Sequence, residues 1–272
     1  MPLITLSSDI GQQDYFVGAI KGQLHSSIPD ISIADITHYL TKDNFFQAAY
    51  VLKNAFRFFP EKTIHLVLLN VFENKESNFV ATQIGNQIIV CPDNGLITML
   101  SPQTAEFYTI PILNANTLVE ITQQIITAIA LLLKGNSLSE VGTKGLSIVH
   151  KDMMKPMVGK DWMEGQVLFI DNFENVIINI TKDEFNEIRA NRKFKIIFGR
   201  NEVVDTISDN YGILSNSENL AWFNSAGYLE LSNKNGNLAG LFGIEEYKKD
   251  LNKDGRVQQN KWFYQTVRIF FE

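Results

Sequence analysis

The sequence predicts an α/β N-terminal domain, with a mainly parallel sheet flanked by helices, and a smaller all-β barrel domain after it. In the first half, apolar runs alternate with segments of helical periodicity, as is typical of a parallel sheet with helices on both faces. From about residue 160 the pattern changes to short strands separated by turns rich in Asn, Asp, Ser and Gly. A polar connector rich in Gly and Lys spans about 136–163. We therefore predict domains at 1–155 and 160–272.

Each element follows from its own local pattern. Runs of Ile, Val and Leu predict buried strands at Leu3–Leu6, Ile31–Ile36 and Ile64–Leu69, and a Gly85-Asn86 turn predicts a hairpin of Phe79–Ile84 and Gln87–Val90. Helical periodicity covers about Gln13–Ser26, Asn44–Phe58 and Thr117–Lys134, the last of which ends before Gly135. Strands of the second domain are predicted at Gly165–Ile170, Asn175–Ile180, Lys193–Phe198, Leu220–Phe223 and Tyr228–Leu231.

The composition limits the possible partners and compartments. The chain carries 24 basic and 30 acidic residues, so its net charge of −6 argues against a nucleic-acid surface. A single cysteine, Cys91, excludes an internal disulfide framework and fits a reducing compartment. The N-terminal segment lacks the features of a secretory signal, and no apolar run is long enough to span a bilayer. We expect a cytoplasmic protein without nucleic-acid or membrane partners.

Polar residues follow the predicted strands of the first domain. Asp9 follows the first strand, Asp35 to His38 the second and Asn70 the third, and the turn Asp93-Asn94-Gly95 follows a later strand. In open α/β sheets, ligands bind outside the carboxyl ends of the strands, and a carboxylate can accept hydrogen bonds from two neighbouring ribose hydroxyls. The pattern thus predicts a polar pocket, whereas the alternative is that each residue only caps a helix or closes a turn, as Asp9 would at the following helix.

Sequence motifs exclude several common catalytic sites. The four histidines and Cys91 show no metal-ligand spacing, so neither a metal nor another cofactor is predicted. There is no G-x-S-x-G elbow, Walker A run or G-x-G-x-x-G fingerprint. In the second domain, 171–175 and 224–228 are either hairpin turns or ligand-binding loops, and Tyr211 is either a core aromatic or a residue that stacks on a base.

Seven stretches of the chain carry a family resemblance when they are taken in order. They are SSDIGQQDYFVGAIKG, PDISIADITHYL, FFPEKTIHLVLLN, PDNGLITML, LSEVG, GQVLFIDNFENVIINI and NSAGYLELSNKNGNLAGLFG. Together they resemble the S-adenosylmethionine (SAM) hydroxide adenosyltransferase family, whose relatives include the bacterial fluorinase and chlorinase. The resemblance implies a homotrimer with SAM as substrate or ligand, bound between one subunit's N-terminal domain and a neighbour's C-terminal domain. The implied reaction is displacement of methionine from the 5′ carbon of SAM by water or halide.

The resemblance also assigns roles to individual residues. Asp9 would hold the ribose hydroxyls, and Asp14 would support the loop of Asp9. The residues implied to hold the methionine end are Asp171 and Asn175, with help from Phe173 and Ser225. For the adenine, the resemblance implies stacking on Tyr211 and backbone contacts at Ala226 and Ala239.

The chain departs from the family at the residues that act on the attacking water. The hydrolases carry an Asp, an Arg and a His for this purpose. Asn70 stands at the Asp position and Glu120 at the His position, and no Arg occurs near Ser77, where the third is expected. Asn cannot take a proton from water, whereas Glu120 is either a substitute base or a carboxylate at a helix start. Ile121 replaces a polar halide contact, so halogenation is not expected.

Two function classes follow from this comparison. The first is a SAM hydrolase, which forms adenosine and methionine, with weak activity because its usual catalytic residues are replaced. The second is a non-catalytic trimer that binds SAM or adenosine as a pseudoenzyme or sensor. Altered chemistry on another adenosyl compound is a third, less favoured option.

Overall fold

The computed structural model describes residues 1–73, 78–145, 147–209, 218–246 and 265–272. The chain divides into two compact units, Met1–Met153 and Met154–Glu272. Within the described residues, no helix combines the length and apolar character needed to cross a membrane.

The first unit is a seven-stranded sheet with five helices. Its elements are β1 (Leu3–Ser8), α1 (Phe16–Ser27), β2 (Ser32–Thr37), α2 (Phe45–Phe56), β3 (Ile64–Leu68), β4 (Phe79–Ile84), β5 (Gln87–Pro92), α3 (Leu96–Leu100), β6 (Phe107–Ile110), α4 (Leu118–Leu133), α5 (Leu138–Val141) and β7 (Thr143–Lys144). The strand order is β2-β1-β3-β5-β4-β6-β7.

The sheet is half parallel and half antiparallel. Strands β2, β1, β3 and β5 are parallel, whereas β4, β6 and β7 pair in antiparallel fashion. The prediction of a mainly parallel sheet is thus only partly confirmed. The physical reason lies in the hairpin between β4 and β5, because the two-residue Gly85-Asn86 connection can join only antiparallel strands, and Gly85 takes the required φ of +57°.

Apolar residues of β3 and Leu69, which directly follows it, alternate between two cores. Leu66 and Leu68 pack in a cluster with α1 and α4, whereas Val67 and Leu69 pack in a second cluster with α2 and α3. Because successive side chains of a strand point to opposite faces, the two clusters cover the two faces of the sheet. This explains why β3 is apolar at every position except His65.

The second unit is a nearly closed, antiparallel barrel-like sheet. Its elements are β8 (Met157–Val158), β9 (Trp162–Ile170), β10 (Val176–Thr181), α6 (Lys182–Arg189), β11 (Phe194–Phe198), β12 (Glu202–Val204), β13 (Asn219–Phe223), β14 (Tyr228–Asn233), α7 (Leu238–Phe242) and β15 (Thr266–Phe271). The order is β12-β11-β15-β9-β10-β14-β13, with β8 beside β9. Its two ends approach each other where the Ser208 N–H donates to the Ala221 carbonyl at 2.8 Å.

Candidate functional site

A cavity of about 350 Å³ lies at the carboxyl ends of β1 and β3. Its polar wall consists of Asp9, Asp14, Lys42 and Asn70. Its apolar wall consists of Ile10, Phe16, Val71, Phe72 and Leu118. Mostly apolar walls with a few convergent polar groups are typical of small-molecule sites, so this cavity is the candidate ligand site of the first unit.

Asp9 is tied to the end of β3 rather than to helix α1. Its Oδ2 accepts a hydrogen bond from the backbone N–H of Asn70 at 2.9 Å, and its own N–H donates to the Leu68 carbonyl at 3.3 Å. Asn70 has a φ of +48°, a conformation that Asn tolerates better than most residues. Helix α1 begins at Phe16 with Tyr15 at the N-cap, so Asp9 is not its cap.

The Asp9 carboxylate is half-buried at the cavity wall. Burial raises its pKa, while the Asn70 N–H and the positive charge of Lys42 act in the opposite direction. An ionised carboxylate has about four acceptor positions, and the backbone N–H groups of Asn70 and of Asp9 itself do not use all of them. Asp9 is therefore suited to accept further hydrogen bonds, such as those of two adjacent hydroxyls.

Asp14 and Asn70 line the same cavity as Asp9, as their predicted roles require. Asp14 is exposed, and its Oδ1 accepts a hydrogen bond from the Tyr15 N–H at 2.6 Å. Lys42 also lines the cavity and was not predicted. The position of Lys42, a few residues beyond the end of β2, is the signal that could have found it.

Glu120 does not line this cavity. It is the third residue of α4, and its Oε2 accepts hydrogen bonds from the N–H groups of Asn116 at 2.8 Å and Thr117 at 3.0 Å. The Thr117 hydroxyl in turn accepts from the Glu120 N–H, which completes a capping box. These hydrogen bonds lower the pKa of Glu120. The Thr-x-x-Glu spacing is itself a sequence signal for this arrangement.

Three predicted residues of the second unit share the turn between β9 and β10. Asp171 Oδ1 accepts from the N–H groups of Phe173 and Asn175, both at 2.9 Å, and Asp171 Oδ2 accepts from Asn175 Nδ2 at 3.0 Å. Phe173 is 77% exposed. Internal hydrogen bonds therefore hold the turn in shape and leave an aromatic ring in solvent.

The remaining predicted residues lie on two neighbouring segments of the second unit. Ser225 and Ala226 are in the turn between β13 and β14, where the Ala226 N–H donates to Asn224 Oδ1 at 3.0 Å. The Ala239 N–H, on α7, donates to the Glu174 carbonyl at 3.1 Å and so attaches α7 to the Asp171–Asn175 turn. At both positions where backbone contacts to adenine are predicted, the N–H is thus engaged within the protein.

Two further predictions concern the stacking residue Tyr211 and the absence of a metal site. Tyr211 lies outside the described residues. Among the residues that are described, no three His, Cys, Asp or Glu side chains are grouped so that they could hold a metal ion.

Comparison with known proteins gives a consistent result. The family model for the SAM hydroxide adenosyltransferase N-terminal domain matches residues 4–142, and the model for its C-terminal domain matches residues 165–249. An (R)-S-adenosyl-L-methionine hydrolase of Methanocaldococcus jannaschii is 28% identical over 192 residues, which cover 68% of this chain and 69% of the relative. A fluorinase of an Actinoplanes species is 27% identical over 120 residues, 36% of this chain and 40% of that enzyme.

A solved structure of an uncharacterized conserved protein from Thermotoga maritima shares the fold. Its TM-score is 0.80 at 24% identity, with 98% of this chain and 99% of that chain covered. Since the two family models follow one another in the expected order and together span most of the sequence, the chain belongs to the SAM hydroxide adenosyltransferase family.

Proposed function

We propose that this protein binds SAM and splits it slowly with water into adenosine and methionine. The observation that carries the proposal is the Asp9 carboxylate, which the Asn70 N–H holds at the wall of a cavity at the strand ends. This is where an α/β sheet binds ligands, and a carboxylate there suits the two hydroxyls of a ribose. Relatives named as (R)-S-adenosyl-L-methionine hydrolases support the choice of reaction.

The proposed reaction is a displacement at the 5′ carbon. The water oxygen forms a bond to this carbon, and the carbon–sulfur bond breaks with its electron pair going to sulfur. The sulfonium becomes the neutral thioether of methionine, and one proton of the attacking water is released to the solvent. Because a sulfonium is a good leaving group, the protein has mainly to hold the water in line and exclude bulk solvent.

The residues of the first unit are proposed to hold the nucleoside, with Asp9 on the ribose and Asp14 beside it. Asn70 is the polar residue proposed to contact the attacking water. Its amide can orient water through a hydrogen bond but cannot remove a proton. Because a general base contributes about 10²- to 10⁴-fold, we propose that turnover is slow.

The turns of the second unit are proposed to hold the rest of the ligand, supplied by a neighbouring subunit of a homotrimer. In that arrangement Asp171, Asn175, Phe173 and Ser225 would bind the methionine end, and Ala226 and Ala239 would face the adenine. Light scattering tests the assembly, with three times the 30.8 kDa mass of one chain expected.

A non-catalytic SAM- or adenosine-binding protein is the second candidate function. It is favoured by the state of the two residues at the predicted catalytic positions: Asn70 is an amide, and the Glu120 carboxylate is engaged by two backbone N–H groups. This alternative predicts saturable binding of SAM with no release of methionine.

One experiment separates the two functions. Pure protein is incubated with SAM, and adenosine and methionine are followed by chromatography while calorimetry measures the binding of SAM and adenosine. Binding with stoichiometric release of both products supports the hydrolase, and binding without products supports the sensor. The absence of any binding would contradict both.

Glu120→Gln is expected to leave the rate of SAM hydrolysis unchanged. Glu120 does not line the cavity, and Gln can also close the capping box, so the variant removes the charge while preserving α4. The rate is measured by methionine release and the fold by circular dichroism. A large fall in rate with an intact fold would instead identify Glu120 as the substitute base.

A further inference from the structure

We propose that His38 is a positioning residue that fixes the Asp9 loop by way of the Ser8 hydroxyl. The inference rests on the proposed function insofar as Asp9 is the ligand contact. Ser8 directly precedes Asp9 in the chain, and His38 directly follows β2, the strand beside β1.

The side chains form a chain of polar contacts from the Asp9 loop to the surface. Ser8 Oγ lies 2.8 Å from His38 Nδ1, and His38 Nε2 lies 3.3 Å from Asp35 Oδ1. Asp35 Oδ2 accepts a hydrogen bond from Lys21 Nζ at 2.6 Å. The contact to Asp35 is long for a hydrogen bond, so Ser8 is the stronger partner of the imidazole.

From these contacts we assign the proton of the neutral His38 ring to Nε2. Burial alone would raise the pKa of Asp35, but the hydrogen bond from Lys21 and the contact with His38 hold it below its ordinary value. An anionic Asp35 favours a proton on the facing Nε2, which in the neutral ring leaves Nδ1 as an acceptor. The Ser8 hydroxyl therefore donates to Nδ1, and its oxygen can accept the Ile10 N–H, which lies at 3.4 Å.

This arrangement holds the backbone on both sides of Asp9. The Leu40 N–H donates to the Ser8 carbonyl at 3.1 Å, and the Gly11 N–H donates to the His38 carbonyl at 2.7 Å. With the bond from the Ile10 N–H to Ser8, three contacts join residues 8–11 to one another and to the loop after β2. Asp9 itself is thereby presented to the cavity in one orientation.

A Ser-His-Asp set usually suggests a nucleophilic serine, but burial argues against that role here. Ser8 and His38 are each only 1% exposed, and neither lines the cavity. A nucleophile has to reach its substrate, so the set acts on Asp9 by position rather than by chemistry.

Two substitutions of His38 separate positioning from general packing. In His38→Asn the side-chain oxygen can replace Nδ1 and accept from Ser8, whereas in His38→Gln the side-chain nitrogen can replace Nε2 and contact Asp35. We expect adenosine affinity within about twofold of the parent for H38N and about tenfold weaker for H38Q. Exposed His25, changed to Gln, is the matched control and should have no effect.

Two measurements test the inference without any ligand. Nitrogen NMR should show His38 Nδ1 unprotonated in the parent protein, and amide exchange at Ile10 and Gly11 should accelerate in H38Q but not in H38N. Ser8→Ala should behave as H38Q does and Ser8→Thr as the parent, which keeps the test valid if a His38 variant fails to fold. Failure of the parent to bind adenosine and SAM would refute the proposed function alone. Equal affinities or equal exchange rates in H38N and H38Q, or a protonated Nδ1, would overturn the positioning role.

Discussion

Asp9→Asn is expected to weaken the binding of adenosine and SAM by about 30-fold. The substitution replaces a charged acceptor of the ribose hydroxyls with a neutral amide, which makes weaker hydrogen bonds and presents one oxygen instead of two. The Asn side-chain oxygen can still accept the Asn70 N–H, so the loop should keep its shape. Calorimetric titration with each ligand measures the effect.

Asp93→Asn is the matched control for this experiment. Asp93 is also half-buried and follows β5, its pKa is likewise raised by burial, and its Oδ1 accepts one backbone N–H, that of Val149, at 2.9 Å. It does not line the cavity, so the same chemical change there should leave both affinities unchanged. Parent-like binding by the Asp9 variant, or an equal loss in both variants, would contradict a ribose contact at Asp9.

Two polar residues of the cavity could be predicted because each follows an apolar strand. Asp9 and Asn70 each end an apolar run, and the rule that parallel strands meet at one edge brings them together; the structure joins them by a hydrogen bond. The same rule does not say where the His38 side chain points, because its hydrogen bond to Ser8 depends on the register of β1 and β2. The Glu120 cap was also local, since Thr117 and Glu120 form a recognisable capping box.

Non-local pairing explains what the sequence did not reveal about the sheets. Strands β6 and β15 were not predicted; β6 has only four residues, and the partners of β15 are distant in the chain. β15 lies between β9 and β11, so its residues gain their environment only when the barrel assembles. Similarly, β4 pairs with β6 as well as with β5, which turns one half of the first sheet antiparallel. No periodicity within a single strand encodes such a choice of neighbour.

Asn70→Asp is expected to raise the rate of SAM hydrolysis by about 100-fold, the lower limit of what a general base commonly contributes. Asn70 is 7% exposed and lines the cavity beside Asp9, where a new carboxylate would be close to the proposed position of the attacking water. Its φ of +48° is tolerated by Asp as well as by Asn, so the turn should survive. Methionine release under saturating SAM measures the gain.

The pH dependence of this variant provides a second readout. Burial and the nearby charge of Asp9 would both disfavour the ionised form of the new carboxyl and raise its pKa. A general base acts only when deprotonated, so the rate should increase as the pH rises through that pKa and remain constant above it. The parent protein, with an amide at this position, should not show this step.

Asn114→Asp is the control that tests whether the effect of the new carboxylate depends on its place in the cavity. Asn114 is exposed, has a similar φ of +52° and adds the same single negative charge when changed to Asp, but it does not line the cavity. Its variant should hydrolyse SAM at the parent rate. If Asn70→Asp binds SAM normally and still shows no gain, a missing base is not what limits the reaction. The missing arginine, or the lack of a path for water into the cavity, would then limit the reaction. If the parent protein is inactive as well, the sensor function explains the results better than the hydrolase function does.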